Sequence, residues 1–484
     1  MSSRPWYLTT TLPYVNAAPH IGFALEIVQA DVFARHARRM GYDVVFNTGT
    51  DEHGQKIYNK AVEEGKDPQA YVDEYAAKFD RLKDALNLSY THFIRTTDPH
   101  HVAAAQEFWR HCEKNGDIYK KNYKVNYCVG CELEKTDSEL EEGKCPIHPN
   151  LTLQEIEEEN YFFRFSKYEK PLLAFYAENP DFVVPDFRFN EIRNFVAQGL
   201  SDFSISRLKE KMPWGIPVPG DETQVMYVWF DALINYISTL GWPEDGERFR
   251  AFWGNGTTRT ALQIAGKDNL RQQSAMWQAM LMSAGLPPSK QIIIHGFITS
   301  GGQKMSKSAG NVIDPFAIAE QYGTDALRYW LIREMNTFED GDFTWEKFKE
   351  GYNGGLANGL GNLVSRVMKM AATSDVTVMR EVDIVHDPVF AAYRDHLARY
   401  DIKRAAEEIW KIISALDKRI QETEPFRLAK TEPEKAKELI AGLVHEVWNI
   451  AAMLHPFLPE TSDKILNILR NPKEPIKPLF ARLT

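Results

Sequence analysis

Pro19-His20-Ile21-Gly22 stands at the predicted start of the first helix, where unpaired backbone N–H groups and the positive end of the helix dipole attract anions. Gly22 would let a charged or flat ligand approach the backbone, and a phosphate is the natural guest. Taken alone, a histidine at a helix start more often caps or packs. A second segment, Gly301-Gly302-Gln303-Lys304-Met305-Ser306-Lys307-Ser308, places two lysines three residues apart in a loop of glycine and serine. Such a loop can bring ammonium groups over a polyphosphate and neutralise the charge that grows on a leaving pyrophosphate. A generic Lys-x-x-Lys would be a solvated basic turn. The pentapeptide Lys304-Met305-Ser306-Lys307-Ser308 together with the upstream His-Ile-Gly favours phosphate chemistry.

The cysteines point to a separate site. Cys128-x-x-Cys131 is followed by Cys145-x-x-His148, three thiols and one imidazole at paired spacings that can close a tetrahedral zinc site of the structural kind. The alternative is a set of reduced, packed cysteines. Cys112 has no partner at ligand spacing and reads as a buried thiol.

These residues need a scaffold. Trp6 to Leu12 reads as a strand, Pro13 to Pro19 carries turn chemistry, and Ile21, Leu25, Val28 and Val32 share a helical face that Gly41 ends. Val44 to Phe46 follows as a short buried strand, so the unit is βαβ and implies a parallel sheet with ligands at its carboxyl ends. Val225 to Phe230 and Ala261 to Ala265 read as further strands, and Gln272 to Ala284 as a helix. Between them, Asn115 to Thr223 holds the cysteine cluster and an acidic run, Glu155 to Glu159. From about Lys349 the pattern is helical: Ile402, Ile409, Ile413, Leu416 and Ile420 are helix-spaced, as are Leu439, Leu443, Val447, Ile450 and Leu454.

The chain has 484 residues, 44% hydrophobic and 26% charged, which suits several soluble domains and excludes whole-chain disorder. No apolar run reaches the ~18 to 20 residues of a membrane span, no signal-peptide core is visible, and a cytoplasmic location is expected. The net charge of −10 argues against a polycation but leaves room for a local basic face.

The paired signatures resemble those of the class I aminoacyl-tRNA synthetases and, more narrowly, of their methionyl family. The resemblance extends over nearly the whole chain: Leu12-Pro13-Tyr14-Val15-Asn16, Thr48 to Gly54, the cysteine knuckle, Val228 to Ala232, Gly266-Lys267-Asp268 and Asn311 to Pro315. Isoleucyl and valyl relatives would need a far longer chain. The resemblance implies an α/β fold: a split Rossmann-type catalytic domain with a zinc-knuckle insertion, plus a C-terminal all-α helical bundle. The expected divisions are 1–113 and 225–298 for the catalytic halves, 114–224 for the insertion, 299–350 for the lysine loop and linking segment, and 351–484 for the anticodon-binding domain. It further implies catalysis by His20, Lys304 and Lys307. ATP with Mg²⁺ would be bound by Pro19, His20, Gly22, Gly266, Asp268, Lys304, Ser306 and Lys307. Leu12, Tyr14, Trp229 and Tyr236 would line a methionine pocket, with Asp51 receiving the ammonium. Structural Zn²⁺ would be held by Cys128, Cys131, Cys145 and His148. Asn362, Arg366 and Phe426 would meet the anticodon.

Four positions depart from the family pattern. Phe23 stands where a second histidine is usual, Asn269 where an apolar residue is usual, Gln273 where a histidine is usual, and Phe426 where a tryptophan usually follows the proline. The activity implied is ATP-dependent activation of methionine and its transfer to methionine tRNAs, by an enzyme expected to be a monomer because no appended C-terminal domain is visible. The departures motivate an alternative, a paralogue that adenylates an amino acid for a tRNA-independent acceptor. A regulatory protein on an inactive synthetase fold is disfavoured by the intact lysine pentapeptide and Asp51.

Overall fold

The β-branched and aromatic residues of Arg4–Thr9 and Tyr42–Thr50 pair in parallel at the centre of a six-stranded sheet. The computed structural model describes residues 4–484 apart from 132, 136–139, 256–257, 306–310, 473–474 and 476. Across the sheet the strands run His92–Arg95, Tyr42–Thr50, Arg4–Thr9, Ala261–Gly266, Gln291–His295 and Val183–Val184, every neighbour parallel. Successive strands step outward on one side of Arg4–Thr9, and the later part of the chain returns on its other side. That reversal lies between Arg4–Thr9 and Ala261–Gly266. Ligands of open α/β sheets bind outside the carboxyl ends of the strands at such a point. Gly49 is needed where two strands crowd, since a Cβ there would lie 1.8 Å from the Ile94 carbonyl oxygen.

The first helix, Ile21–Arg39, covers the sheet and ends before Gly41, whose φ of +83° suits glycine. It is buried on nearly all sides, polar residues included: Glu26, Gln29 and Asp31 are all buried. The fully buried Arg328 donates to Asp31 at 2.9 Å and to the carbonyls of Leu86, Pro456 and Phe457. One guanidinium thus ties the first helix to the C-terminal helices.

Three elements differ from the sequence reading. The strand expected over Val225 to Phe230 stops at Met226, and Val228–Ala232 is a short helix. That strand, Asp221–Met226, belongs to a small antiparallel sheet with Ser206–Leu208 and Pro217–Val218. Aromatic and β-branched content marks burial here, and burial suits both a strand and a helical turn. Gln272 to Ala284 opens as a π turn, Gln272–Met276, before continuing as the helix Trp277–Ser283. Finally, the edge strand Val183–Val184 comes from within residues 114–224, so that stretch contributes to the six-stranded parallel sheet as well as to the cysteine-bearing one.

The cysteine-bearing part is a four-stranded antiparallel sheet in the order Leu133–Lys135, Ile118–Cys128, Gln154–Phe163 and Phe203–Ser204. The acidic run lies on Gln154–Phe163 opposite a lysine-rich strand, with Lys124 and Glu155 paired at 2.8 Å. The C-terminal region is helical, led by Asn362–Thr373, Ile402–Thr423, Pro433–Leu454 and Pro459–Arg470. Its core takes up Ile409, Ile413, Leu416, Ile420, Leu443 and Val447. Among the described residues no helix is long and apolar enough to cross a membrane.

Candidate functional site

His20 is the N-cap of the first helix, and its Nδ1 accepts a hydrogen bond from the Gly22 N–H at 3.1 Å. This fixes the neutral tautomer with its proton on Nε2. Gly22 permits the arrangement, because a Cβ at that position would fall 2.8 Å from His20 Cε1. The residue is solvent-accessible yet protein surrounds much of its ring, and the resulting desolvation holds its pKa below the usual value. Pro19 is buried. Phe23, in place of a second imidazole, is half-buried and packs edge-on against Phe79 at 5.4 Å.

The helix start and the lysine segment adjoin. The Ile21 N–H donates to the Ile313 carbonyl at 3.0 Å, and Met305 Cε is 3.7 Å from where a Gly22 Cβ would stand. Upstream of Met305, Ile298–Ser300 and Gln303–Lys304 form a hairpin closed by Gly301 and Gly302 at φ +60° and +75°, a turn that requires glycine-like freedom. Asp342 braces it, accepting from the Gly302 N–H at 2.7 Å and from Thr299 Oγ1 at 2.8 Å. The backbone of Lys304 ends this hairpin; Ser306 and Lys307 lie outside the described residues.

Around the sheet's carboxyl edge the structure adds two groups that sequence reasoning did not single out. Glu26 Oε1 accepts from the Thr11 N–H and hydroxyl at 2.7 and 2.6 Å, and its Oε2 is 2.9 Å from His295 Nε2. His295 Nδ1 is 2.7 Å from the Gly296 carbonyl, so both ring nitrogens face acceptors. Burial opposes its charge, but Glu26 and that carbonyl prevail and raise the pKa, favouring imidazolium. Gly266 ends its strand in register with His295. Asn269, one of the departing positions, donates from Nδ2 to Asp268 Oδ1 at 3.2 Å, and Lys267 pairs with Asp340 at 2.6 Å.

Of the five residues expected to hold an amino acid, Tyr14 and Asp51 are bridged to each other and Trp229 packs in the same cluster as Tyr14. Asp51 is 3% exposed, and its backbone is bridged to Tyr14 by hydrogen bonds to the Pro13 carbonyl and from the Val15 N–H. Leu12 is half-buried on the same turn. Tyr14 and Trp229 pack against the cluster of Tyr127, Tyr227 and Val228. The buried Tyr236 hydroxyl accepts from Gln273 Nε2 at 2.6 Å; its pKa is raised above all by burial, with Glu26 and Asp51 adding their negative charge. Gln273 in turn accepts from Gln263 at 3.1 Å. A neutral amide therefore takes the place of the expected imidazole behind Tyr236.

In the insertion, Cys128, Cys131, Cys145 and His148 bring four donor atoms within 4.8 Å of one another. Cys131 Sγ is 3.5 Å from Cys145 Sγ and 3.2 Å from His148 Nδ1. Those edges fit a tetrahedron with bonds of about 2.0–2.3 Å, the zinc–nitrogen and zinc–sulfur range. Gly130 makes room, since a Cβ would lie 2.5 Å from the His148 ring. Lys56 links this knuckle to Tyr14, its Nζ donating to the Gly130 carbonyl at 2.9 Å while lying 5.4 Å from the centroid of the Tyr14 ring.

In the helical region Arg366 and Phe426 line one cavity of about 290 Å³ together with Lys369, Thr373 and Ile440. Phe426 is 47% exposed, and Arg366 is held by Asp417 at 2.9 Å. Asn362 is exposed at the start of the same helix as Arg366 and is not part of the cavity wall.

Comparison with known proteins gives a consistent picture. Residues 6–156 and 150–368 match the family described as tRNA synthetases class I (M), and residues 377–478 match the anticodon binding domain of methionyl tRNA ligase. The methionine–tRNA ligase of Thermosynechococcus vestitus is 43% identical over 475 residues, covering 95% of this chain and 88% of that protein. That of Thermotoga maritima is 41% identical, covering 98% of this chain and 76% of its own length. A Mycobacterium tuberculosis methionyl-tRNA synthetase solved in complex with methionyl-adenylate is 38% identical, with a TM-score of 0.89 over 96% of this chain and 94% of its own.

Proposed function

The chain belongs to the methionyl-tRNA synthetases of class I, and on that premise we propose how its residues divide the work. The reaction is that of a methionine–tRNA ligase: ATP-dependent activation of methionine to methionyl-adenylate, then transfer to the 3′-terminal adenosine of methionine tRNAs. The observation that carries the assignment of residues is the junction of the His20 helix start with the lysine segment at the switch point of the sheet.

A methionine carboxylate oxygen attacks the α-phosphorus of ATP, the new O–P bond forming as the bond to the bridging oxygen of the β-phosphate breaks and pyrophosphate leaves. His20, its Nδ1 already engaged, offers its Nε2 proton to a phosphate oxygen, and the helix start supplies further positive potential. Lys304 and Lys307 neutralise the departing pyrophosphate. Pro19, Gly22, Gly266, Asp268 and Ser306 complete the site for ATP, which enters with Mg²⁺. Asp51 takes the substrate ammonium, while Leu12, Tyr14, Trp229 and Tyr236 surround a thioether that is well served by polarizable aromatic edges. Attack of the terminal adenosine hydroxyl on the adenylate carbonyl then releases AMP. Catalysis consists of positioning and charge stabilisation, with no protein nucleophile. Pyrophosphate exchange measured separately with each of the twenty amino acids tests this pocket. Methionine should support it with the highest kcat/KM, and another amino acid doing so would reject the pocket assignment.

The donor set of the knuckle fits zinc, and Cys128, Cys131, Cys145 and His148 would hold it in a closed, structural role. Bound metal would lock the turn whose Gly130 carbonyl meets Lys56. Cys145→Ala should abolish stoichiometric zinc by elemental analysis and lower the thermal midpoint, while methionine stays the amino acid chosen. Metal-free protein of unchanged midpoint and activity would contradict this.

Asn362, Arg366 and Phe426 are the proposed anticodon contacts. A base stack is worth ~1–3 kcal/mol, so Phe426→Ala should weaken charging about tenfold and leave pyrophosphate exchange untouched. Phe426→Trp, which enlarges the stacking face, should charge at least as well as the native chain.

A further inference from the structure

A buried carboxylate outside the set assigned so far joins three separate elements. Asp231 is fully buried in the short helix Val228–Ala232, which also carries Trp229. Its Oδ2 accepts from His53 Nδ1 at 2.7 Å and its Oδ1 from His101 Nε2 at 2.9 Å. His101 lies on the helix Pro99–Lys114, fully buried, with Nδ1 2.9 Å from Ser238 Oγ. His53 follows Asp51 by two residues and is 6% exposed. The segment between them is pinned on its other side by Trp214, whose Nε1 donates to the Glu52 carbonyl at 2.5 Å and whose indole is tilted against His53 at 5.6 Å. Asp231 is thus a direct side-chain link between the segment that bears Asp51 and the helix that bears Trp229.

A carboxylate taken this far from water is costly unless donors satisfy it. Here each oxygen has its own imidazole. Although burial by itself would raise the Asp231 pKa, the two histidines hold it below the usual carboxylate range. A buried network with its members satisfied rigidifies what it joins, and this one joins the acidic and the aromatic sides of a substrate pocket.

We propose that Asp231 is a positioning residue that sets the separation between Asp51 and Trp229, and through it the fit of the amino-acid substrate. The proposal rests on the reading of Asp51 and Trp229 as pocket walls. Asp231→Asn keeps the size of the side chain but turns an amide N–H₂ toward one imidazole. It should raise the methionine KM in pyrophosphate exchange about tenfold, leaving the ATP KM and the kcat at saturating methionine within about twofold. His53→Ala cuts the arm toward the Asp51 segment, together with its contact to Trp214, and should shift the same parameter in the same direction; it decides the matter should Asp231→Asn not fold. Asp51→Asn and Trp229→Ala measured alongside separate the pocket walls from the residue that spaces them. If neither raises the methionine KM, the pocket reading fails and the proposal with it. If both raise it while Asp231→Asn and His53→Ala leave it unchanged, or raise the ATP KM equally, the pocket stands and Asp231 is structural only.

Discussion

Lys307→Ala is expected to lower methionine-dependent pyrophosphate exchange by about a hundredfold or more while leaving the methionine KM within about twofold. The asymmetry follows from where charge appears. Methionine binds before any negative charge has moved, whereas the pyrophosphate gains charge only as its bond to the α-phosphorus lengthens. An ammonium aimed at that group therefore acts on the transition state and scarcely on the ground state. The scaffold suits this role, because the preceding hairpin turns through Gly301 and Gly302, is braced by the Asp342 carboxylate, and leads through Met305 to the start of the first helix. A Lys307→Ala enzyme with normal exchange would remove this lysine from the mechanism.

Asp51→Asn carries the second large effect. Asp51 is almost fully buried, and its backbone is fixed on both sides of the bridge to Tyr14, so a cationic partner meets a preorganised and poorly solvated carboxylate. Removing one member of a buried charge pair typically costs about 2–5 kcal/mol, and the methionine KM should rise by about thirtyfold or more. The ATP KM should move little, because the His20 helix start is a separate anion site. A methionine analogue lacking the ammonium should then bind native and Asp51→Asn enzymes alike. If its affinity falls with the substitution, Asp51 acts on something other than the ammonium.

What could be read from the sequence was chemistry concentrated in short segments. His20-Ile21-Gly22, the lysine pentapeptide and the cysteine knuckle each declare themselves because few residues at fixed spacing do one thing, and the structure sets Met305 of the pentapeptide and the following Ile313 beside the helix start and gathers the four knuckle donors into one cluster. The parallel sheet was legible from its βαβ opening. Less legible were groups whose partners are remote in the chain. Glu26 and His295 are 269 positions apart, and no local pattern connects them. Glu26 also sits on a helix whose surroundings are buried on nearly every side, so an amphipathic reading would place it in solvent. The helix Val228–Ala232 was hidden for a different reason: a short run of buried aromatic and β-branched residues has the same composition in a strand and in a turn of helix. Asp231 was hidden with it. Among the departures, Asn269 pairs with its chain neighbour Asp268, whereas Gln273 meets Tyr236, 37 positions away, only in the folded chain. Phe23, by contrast, spends its ring on Phe79.

The most direct test of the proposed activity is the charging of a methionine tRNA transcript by the full chain with ATP and labelled methionine, followed by release of the label from the 3′-terminal adenosine under mild base. The expected result is ATP-dependent, base-labile methionine on that tRNA and no comparable labelling of a non-methionine tRNA. Rapid methionine-dependent pyrophosphate exchange without methionine on the methionine tRNA would contradict it, and would leave an enzyme that makes the adenylate for a different acceptor.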